Sequence, residues 1–210
     1  MEVLVLGAAG GVGQRAVALA VEAGHSVRAG ARSPVAAPPS VQPVVLDVRD
    51  AEAVRRAVDG VDAVLWCVGV TRRSGADVGR VGLPHLVAAA RATGVERVVT
   101  VSGAGVTLPG DRKGAGARLA SALTRRLAGD LVADKQGEHD VLAASDLRWT
   151  EVRPPRLTEG APTGHWRLVA EAPGLTAPPV SKGDVAAAML HLATSQAWTH
   201  RSPFLVRATP

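Results

Sequence analysis

One stretch constrains the fold of this chain more than any other: its first dozen residues. Glu2-Val3-Leu4-Val5-Leu6 is a short apolar run that passes directly into Gly7-Ala8-Ala9-Gly10-Gly11-Val12-Gly13. A helical pattern follows at Ala16, Val17, Leu19, Ala20 and Ala23, closed by Gly24. Strand, glycine turn and helix in that order make an anion cradle, because the free N–H groups and the positive end of the helix face the turn. Gly7 permits the tight turn, Gly10 lets backbone approach a pyrophosphate, and Gly13 lets the helix lie close on the sheet. The spacing is G-x-x-G-x-x-G, one residue longer in its first step than G-x-G-x-x-G. It predicts nucleotide binding.

The rest of the chain alternates strands and helices. Strands are expected at residues 25–31, 44–46, 62–68, 97–101 and 148–153, with short ones at 166–169 and 204–206. Asp50 is the expected N-cap of a helix carrying Ala53, Val54, Ala57 and Val58. A further helix is expected around 86–93, closed at Gly94. A long helical stretch, broken near Gly129, is expected from about 116 to 145, and Ser181 is expected to cap the last helix. The Pro/Ala segment through Pro43, residues 103–116 and residues 156–179 read as loops. This order predicts an α/β, doubly wound Rossmann fold with a mainly parallel central sheet. No linker divides it, so residues 1–210 read as a single domain, with 156–180 forming part of the substrate side.

Composition narrows the function. Cys67 is the only cysteine, which rules out an internal disulfide and a cysteine-built metal cluster. The six histidines have no metal-ligand spacing, so no metal site is expected. A net charge of +5 invites a nucleic-acid reading, but the arginines are scattered and the chain has four Trp, one Phe and no Tyr. Without a stacking platform, nucleic acid is not the expected partner. No apolar run is long enough to span a bilayer and no secretory leader is apparent, so the expectation is a cytoplasmic monomer or homodimer acting on a small molecule.

Five motifs in order resemble the atypical short-chain dehydrogenase/reductase family, nearest to its NAD(P)H-binding members of the biliverdin-IXβ/flavin reductase type. They are residues 7–13, Leu46-Asp47-Val48, Val101-Ser102-Gly103, the block 134–155 and Ser181-Lys182-Gly183 with the residues through Met189. The resemblance covers nearly the whole chain. It implies a nicotinamide cofactor and a substrate bound over the C-terminal ends of the strands.

In such a fold an acid at the end of the second strand holds the ribose 2′-hydroxyl of NAD, whereas arginine accommodates the 2′-phosphate of NADP. Here Arg32 and Ser33 stand there, with Arg28 on the same strand, so NADP(H) is the expected cofactor. Ala9, Gly11 and Val12 complete the phosphate turn. The resemblance sets Asp47 and Val48 beside the adenine, although Asp47 alone could simply cap a turn. It brings Val68 and Gly69 near the adenosine ribose and Pro154 near the cofactor.

The catalytic motif departs from the family. The family uses a serine and Tyr-x-x-x-Lys, with tyrosine as proton donor, but this chain has no tyrosine. Aligned on the motif, Ser102 falls on the serine, Lys135 on the lysine and Leu131 on the tyrosine. Lys135 alone could equally be an ordinary helix lysine. His139, His165 or water could supply the proton, and Arg156, just after Pro154-Pro155, could bind an acidic substrate. Three functions remain open on these residues. They are a reductase of flavins, quinones or other conjugated acceptors, a redox-sensing regulator that binds NADP(H) without turnover, and a specialised biosynthetic reductase or isomerase.

Overall fold

The computed structural model describes residues 1–174 and 176–208; position 175, in the stretch read as irregular, lies outside the described residues. Six parallel strands form the central sheet: β1 (Glu2–Leu6), β2 (Ser26–Ala31), β3 (Val41–Val45), β4 (Ala63–Trp66), β5 (Arg97–Val101) and β6 (Arg148–Val152). Their spatial order is β3-β2-β1-β4-β5-β6, and every neighbouring pair is parallel. The chain winds outward one way from β1 and the other way from β4. The reversal leaves a crevice over the carboxyl ends of those two strands. The doubly wound Rossmann fold is therefore as expected.

Because successive residues of a strand face opposite sides, each strand serves two cores. Val3, Val5, Ala63 and Leu65 pack with Ala16, Val17 and Ala20 of α1 (Gly11–Glu22) and Val185 and Met189 of α6 (Lys182–Ala193). Leu4, Leu6, Val64 and Trp66 face α2 (Ala51–Val58) and α3 (Val78–Thr93), with Leu142 of α5 (Gly129–Ala143) in the same layer. Asp50 caps α2 as expected, its carboxylate accepting from the Glu52 and Ala53 N–H groups. Ser181 likewise caps α6 through the Asp184 N–H.

Two boundaries differ from expectation. Strand β3 starts at Val41 and includes Pro43, which pairs with Ala29. It is the edge strand, where a missing N–H can face solvent. Helix α3 starts at Val78 and passes through Pro84 instead of starting near Leu86. Pro84 is exposed. The first turn is held from outside: the Asp134 carboxylate of α5 accepts the Gly79 N–H at 3.1 Å and the Arg80 N–H at 2.9 Å.

The long helical stretch does break where expected, between α4 (Ala115–Leu127) and α5. The loop before it is pinned by buried Arg153, whose guanidinium forks onto both Asp111 oxygens at 2.7 and 2.8 Å. Short strands β7 (Leu157–Thr158) and β9 (Val180–Ser181) pair in parallel, and β8 (Trp166–Val169) pairs antiparallel with β10 (Phe204–Arg207). Among the described residues no helix is long and apolar enough to cross a membrane.

Candidate active site

The crevice is a cleft of about 580 Å³ over the switch point. Its floor is the glycine turn. Gly7 has φ +83°, and a side chain there would lie 2.6 Å from the Cys67 carbonyl oxygen. The Gly7 and Ala8 N–H groups both donate to the Gly30 carbonyl, at 2.9 and 3.0 Å, fixing the turn against β2. Gly13 does not reach the cleft; a methyl on it would sit 2.3 Å from the Gly7 carbonyl oxygen, so its role is close packing of α1 on β1. Gly10 precedes α1 as an extended N-cap with no side chain to satisfy the first N–H groups. Those groups therefore face the cleft.

The ends of β2 to β5 add the walls. Ala9, Gly10, Gly11 and Val12 line the floor, Arg32 follows β2, Asp47 and Val48 follow β3, Val68 and Gly69 follow β4, and Ser102 follows β5. Lys135 comes in from α5. These expected residues are thus brought together. Asp47 lines the cleft, and its carboxylate also caps the turn after β3 by accepting the Arg49 N–H at 2.9 Å. Arg32 is exposed at the rim, and one Nη donates to the Arg73 carbonyl.

Besides Gly13, four expected residues lie elsewhere. Ser33 is exposed and does not line the cleft. Pro154 is buried behind it, its carbonyl accepting the Ala104 N–H at 2.8 Å. Arg156 is exposed and donates to the Ala177 carbonyl at 3.3 Å, outside the lining. His139 is turned into the body of the protein: its Nδ1 is 2.9 Å from a Glu151 oxygen and its ring meets Trp149 edge-on at 5.8 Å. The reason is helical rise. α5 runs antiparallel to the strands, so four residues, about 6 Å, carry His139 from the strand ends down beside β6.

Lys135 is buried and fully engaged. Its Nζ donates to the Val68 carbonyl at 2.7 Å and to both Glu138 oxygens at 2.9 Å. Glu138 also accepts the Trp66 Nε1–H at 3.1 Å. Burial pushes the Glu138 carboxyl up to about 7, against the pull of Lys135 and Trp66. Burial likewise pushes the Cys67 thiol up to about 12, so it remains a neutral thiol on the cleft wall. Opposite, the Ser102 hydroxyl is buried and has no partner among the described residues.

Leu131, aligned above with the family's tyrosine, is in the cleft together with residues that were not anticipated. Leu131, one turn before Lys135, and Leu157 of β7 both line it, and both are exposed apolar side chains, at 39% and 41%. Lys182, the first residue of α6, also lines it. Only its place in the Ser181–Met189 motif could have pointed to it. No group of three or more His, Cys, Asp or Glu able to hold a metal occurs among the described residues.

The glycine cradle, the rim arginine and the partnerless serine fit a dinucleotide. Consistent with this, the family described as NAD(P)H-binding matches residues 7–196. The chain is similar over its whole length to the oxidoreductase ylbE of Lactococcus lactis, with 22% identity, 92% of that chain covered and a TM-score of 0.82. ChuY of Escherichia coli O157:H7, an anaerobillin reductase, shares 23% identity over 100% of both chains with a TM-score of 0.76. A short-chain dehydrogenase/reductase of Veillonella parvula solved with NADP shares 20% identity over 100% of this chain and 94% of that one, with a TM-score of 0.78. At these identities the likenesses establish the fold.

Proposed function

Since the chain belongs to the NAD(P)H-binding family, we propose that it is an NADPH-dependent oxidoreductase whose hydride acceptor is a flavin, a quinone or a similarly conjugated small molecule. The observation that carries this reading is the pairing of Leu131 and Lys135 on the cleft wall. The position that the family gives to a tyrosine acid holds an apolar side chain. The lysine beside it has its three N–H groups committed to Val68 and Glu138. No acid therefore stands ready at that wall.

The bound nicotinamide cofactor would supply the hydride. The chain's part is to hold, orient and dry the reactants. The α1 N-terminus and glycine turn hold the pyrophosphate, and Arg32 holds the 2′-phosphate through charge-assisted hydrogen bonds. Leu131 and Leu157 offer an apolar seat for a flat conjugated ring, and the unpartnered Ser102 hydroxyl can hold one polar atom of it. Such an acceptor needs positioning more than a dedicated acid, because solvent can complete its protonation. We place residues 156–180 on the substrate side of a single domain spanning 1–210, because Leu157 enters the cleft; Arg156 has no part in this.

The test is NADPH oxidation measured against flavins, quinones, imines and enones. Turnover is expected with at least one of the first two, and His139→Gln and His165→Asn should retain it with an unchanged pH profile. Tight NADPH binding with no oxidation by any of these acceptors would refute the enzyme and favour a redox-sensing regulator.

A further inference from the structure

The cleft lining contains three cations among its described residues: Arg32, Lys135 and Lys182. Arg32 stands beyond β2, at the far rim, and Lys135 is spent on Glu138 and Val68. Lys182 is the one that lies on the phosphate turn. A Cβ built on Gly11 would be 2.8 Å from both its Cδ and its Nζ, so glycine at 11 makes room for this lysine as well as for a ligand. Lys182 is not free, however. Its ammonium pairs with one oxygen of Glu159, and the other Glu159 oxygen takes Arg15 Nη2 at 3.0 Å. Arg15 in turn donates to the Gly11 carbonyl at 2.7 Å and the Gly160 carbonyl at 2.8 Å. Glu159 is thus an exposed carboxylate, tethered from the loop after β7 onto two cations that flank the glycine turn.

We propose that Lys182 is a ligand of the cofactor's pyrophosphate and that Glu159 is its internal competitor, an anion that must yield Lys182 for the cofactor to bind fully. The proposal rests on the cofactor reading above. Its physical basis is that one ammonium serves two anions on the same turn. A pyrophosphate carries more charge than a carboxylate and is also held by the α1 N-terminus, so it wins the exchange at a cost in affinity. The loop 157–160 belongs to the segment carrying Leu157, so the exchange also ties cofactor binding to the substrate wall.

Because both cofactors share the pyrophosphate, Lys182 acts on them equally, unlike Arg32. The experiment is calorimetric titration of NADPH and of NADH into the full chain, Lys182→Met, Glu159→Gln and the double variant, at one fixed low ionic strength. Methionine keeps the stem that packs on Gly11. Lys182→Met should weaken both cofactors about tenfold, the scale of one charge-assisted contact. Glu159→Gln should tighten both about two- to fivefold, the scale of an exposed ion pair, and this gain should vanish in the double variant. Unchanged binding in Lys182→Met, a loss confined to NADPH, or a Glu159→Gln gain that persists without Lys182 would each overturn the proposal. Failure of the native chain to bind either cofactor would overturn it together with the cofactor reading, whereas the other three outcomes leave that reading intact.

Discussion

Glu138 gives a pH test of the site that needs no cofactor. Its side chain is 2% exposed, and its carboxylate meets the Lys135 ammonium at 2.9 Å and the Trp66 indole at 3.1 Å. Burial nevertheless dominates and raises the carboxyl from the ordinary 4.5 to about 7. The folded chain therefore holds this proton more tightly than the unfolded chain. The stabilisation is fully present below pH 4.5 and is lost as pH rises through about 7. At about 1.4 kcal/mol per pH unit, that interval is worth about 3 kcal/mol. Glu138→Gln keeps the shape and cannot titrate. Urea unfolding of both proteins between pH 4.5 and 8 isolates the effect, because the other carboxylates titrate in both. The native chain's advantage over the variant should shrink by about 3 kcal/mol across the range. A constant difference would refute the reasoning, and one that grows with pH would show that attraction to Lys135 outweighs burial.

Two further outcomes are expected. Arg32→Asp should cost about tenfold or more in NADPH affinity while leaving NADH equal or better, the scale of a charge-assisted contact at an exposed rim; equal affinity of the native chain for both cofactors would remove Arg32 from the role. Gly13→Ala drives a methyl to 2.3 Å from the Gly7 carbonyl oxygen and 2.9 Å from the Ala8 Cα, both backbone atoms. It should lower Tm by about 4–8 °C, since a contact this close to backbone puts overpacking near the upper end, about 3 kcal/mol, against a helix gain of about 1 kcal/mol; an unchanged Tm would show that α1 can lift off β1 freely.

What the sequence made legible was the local signal. The apolar runs of β1, β4 and β5 and the glycine turn depend on neighbours a few residues away, and their order alone fixes the doubly wound topology. The start of α3 was illegible because the group that holds its first turn is Asp134, more than fifty residues downstream, and because Pro84 reads as a stop unless its exposure is known. Lys182 and Leu157 were missed for the same reason. They enter the cleft from segments well over a hundred residues past the turn they face, and no periodicity encodes that meeting. The error at His139 was geometric. Four residues from Lys135 is one helical face, but it is also one step further down the sheet.

Lys135 has a structural role that does not depend on any reaction. Lys135 lines the cleft wall, and one helical turn before it stands Leu131. In this chain the ammonium donates to both oxygens of buried Glu138 and braces the Val68 carbonyl just after β4. Removing it would take a hydrogen-bond donor from buried Glu138 and from the Val68 carbonyl, a loss of about 1–3 kcal/mol for each buried group left unpaired, whatever the reaction. Stability alone is thus sufficient to retain the lysine, and its presence is no argument for a proton relay. The groups left to meet an acceptor are Leu131, Leu157 and the Ser102 hydroxyl, which has no partner among the described residues. Two apolar walls and one hydroxyl suit a ring that needs to be seated flat beside the cofactor more than a carbonyl that must be protonated as the hydride arrives.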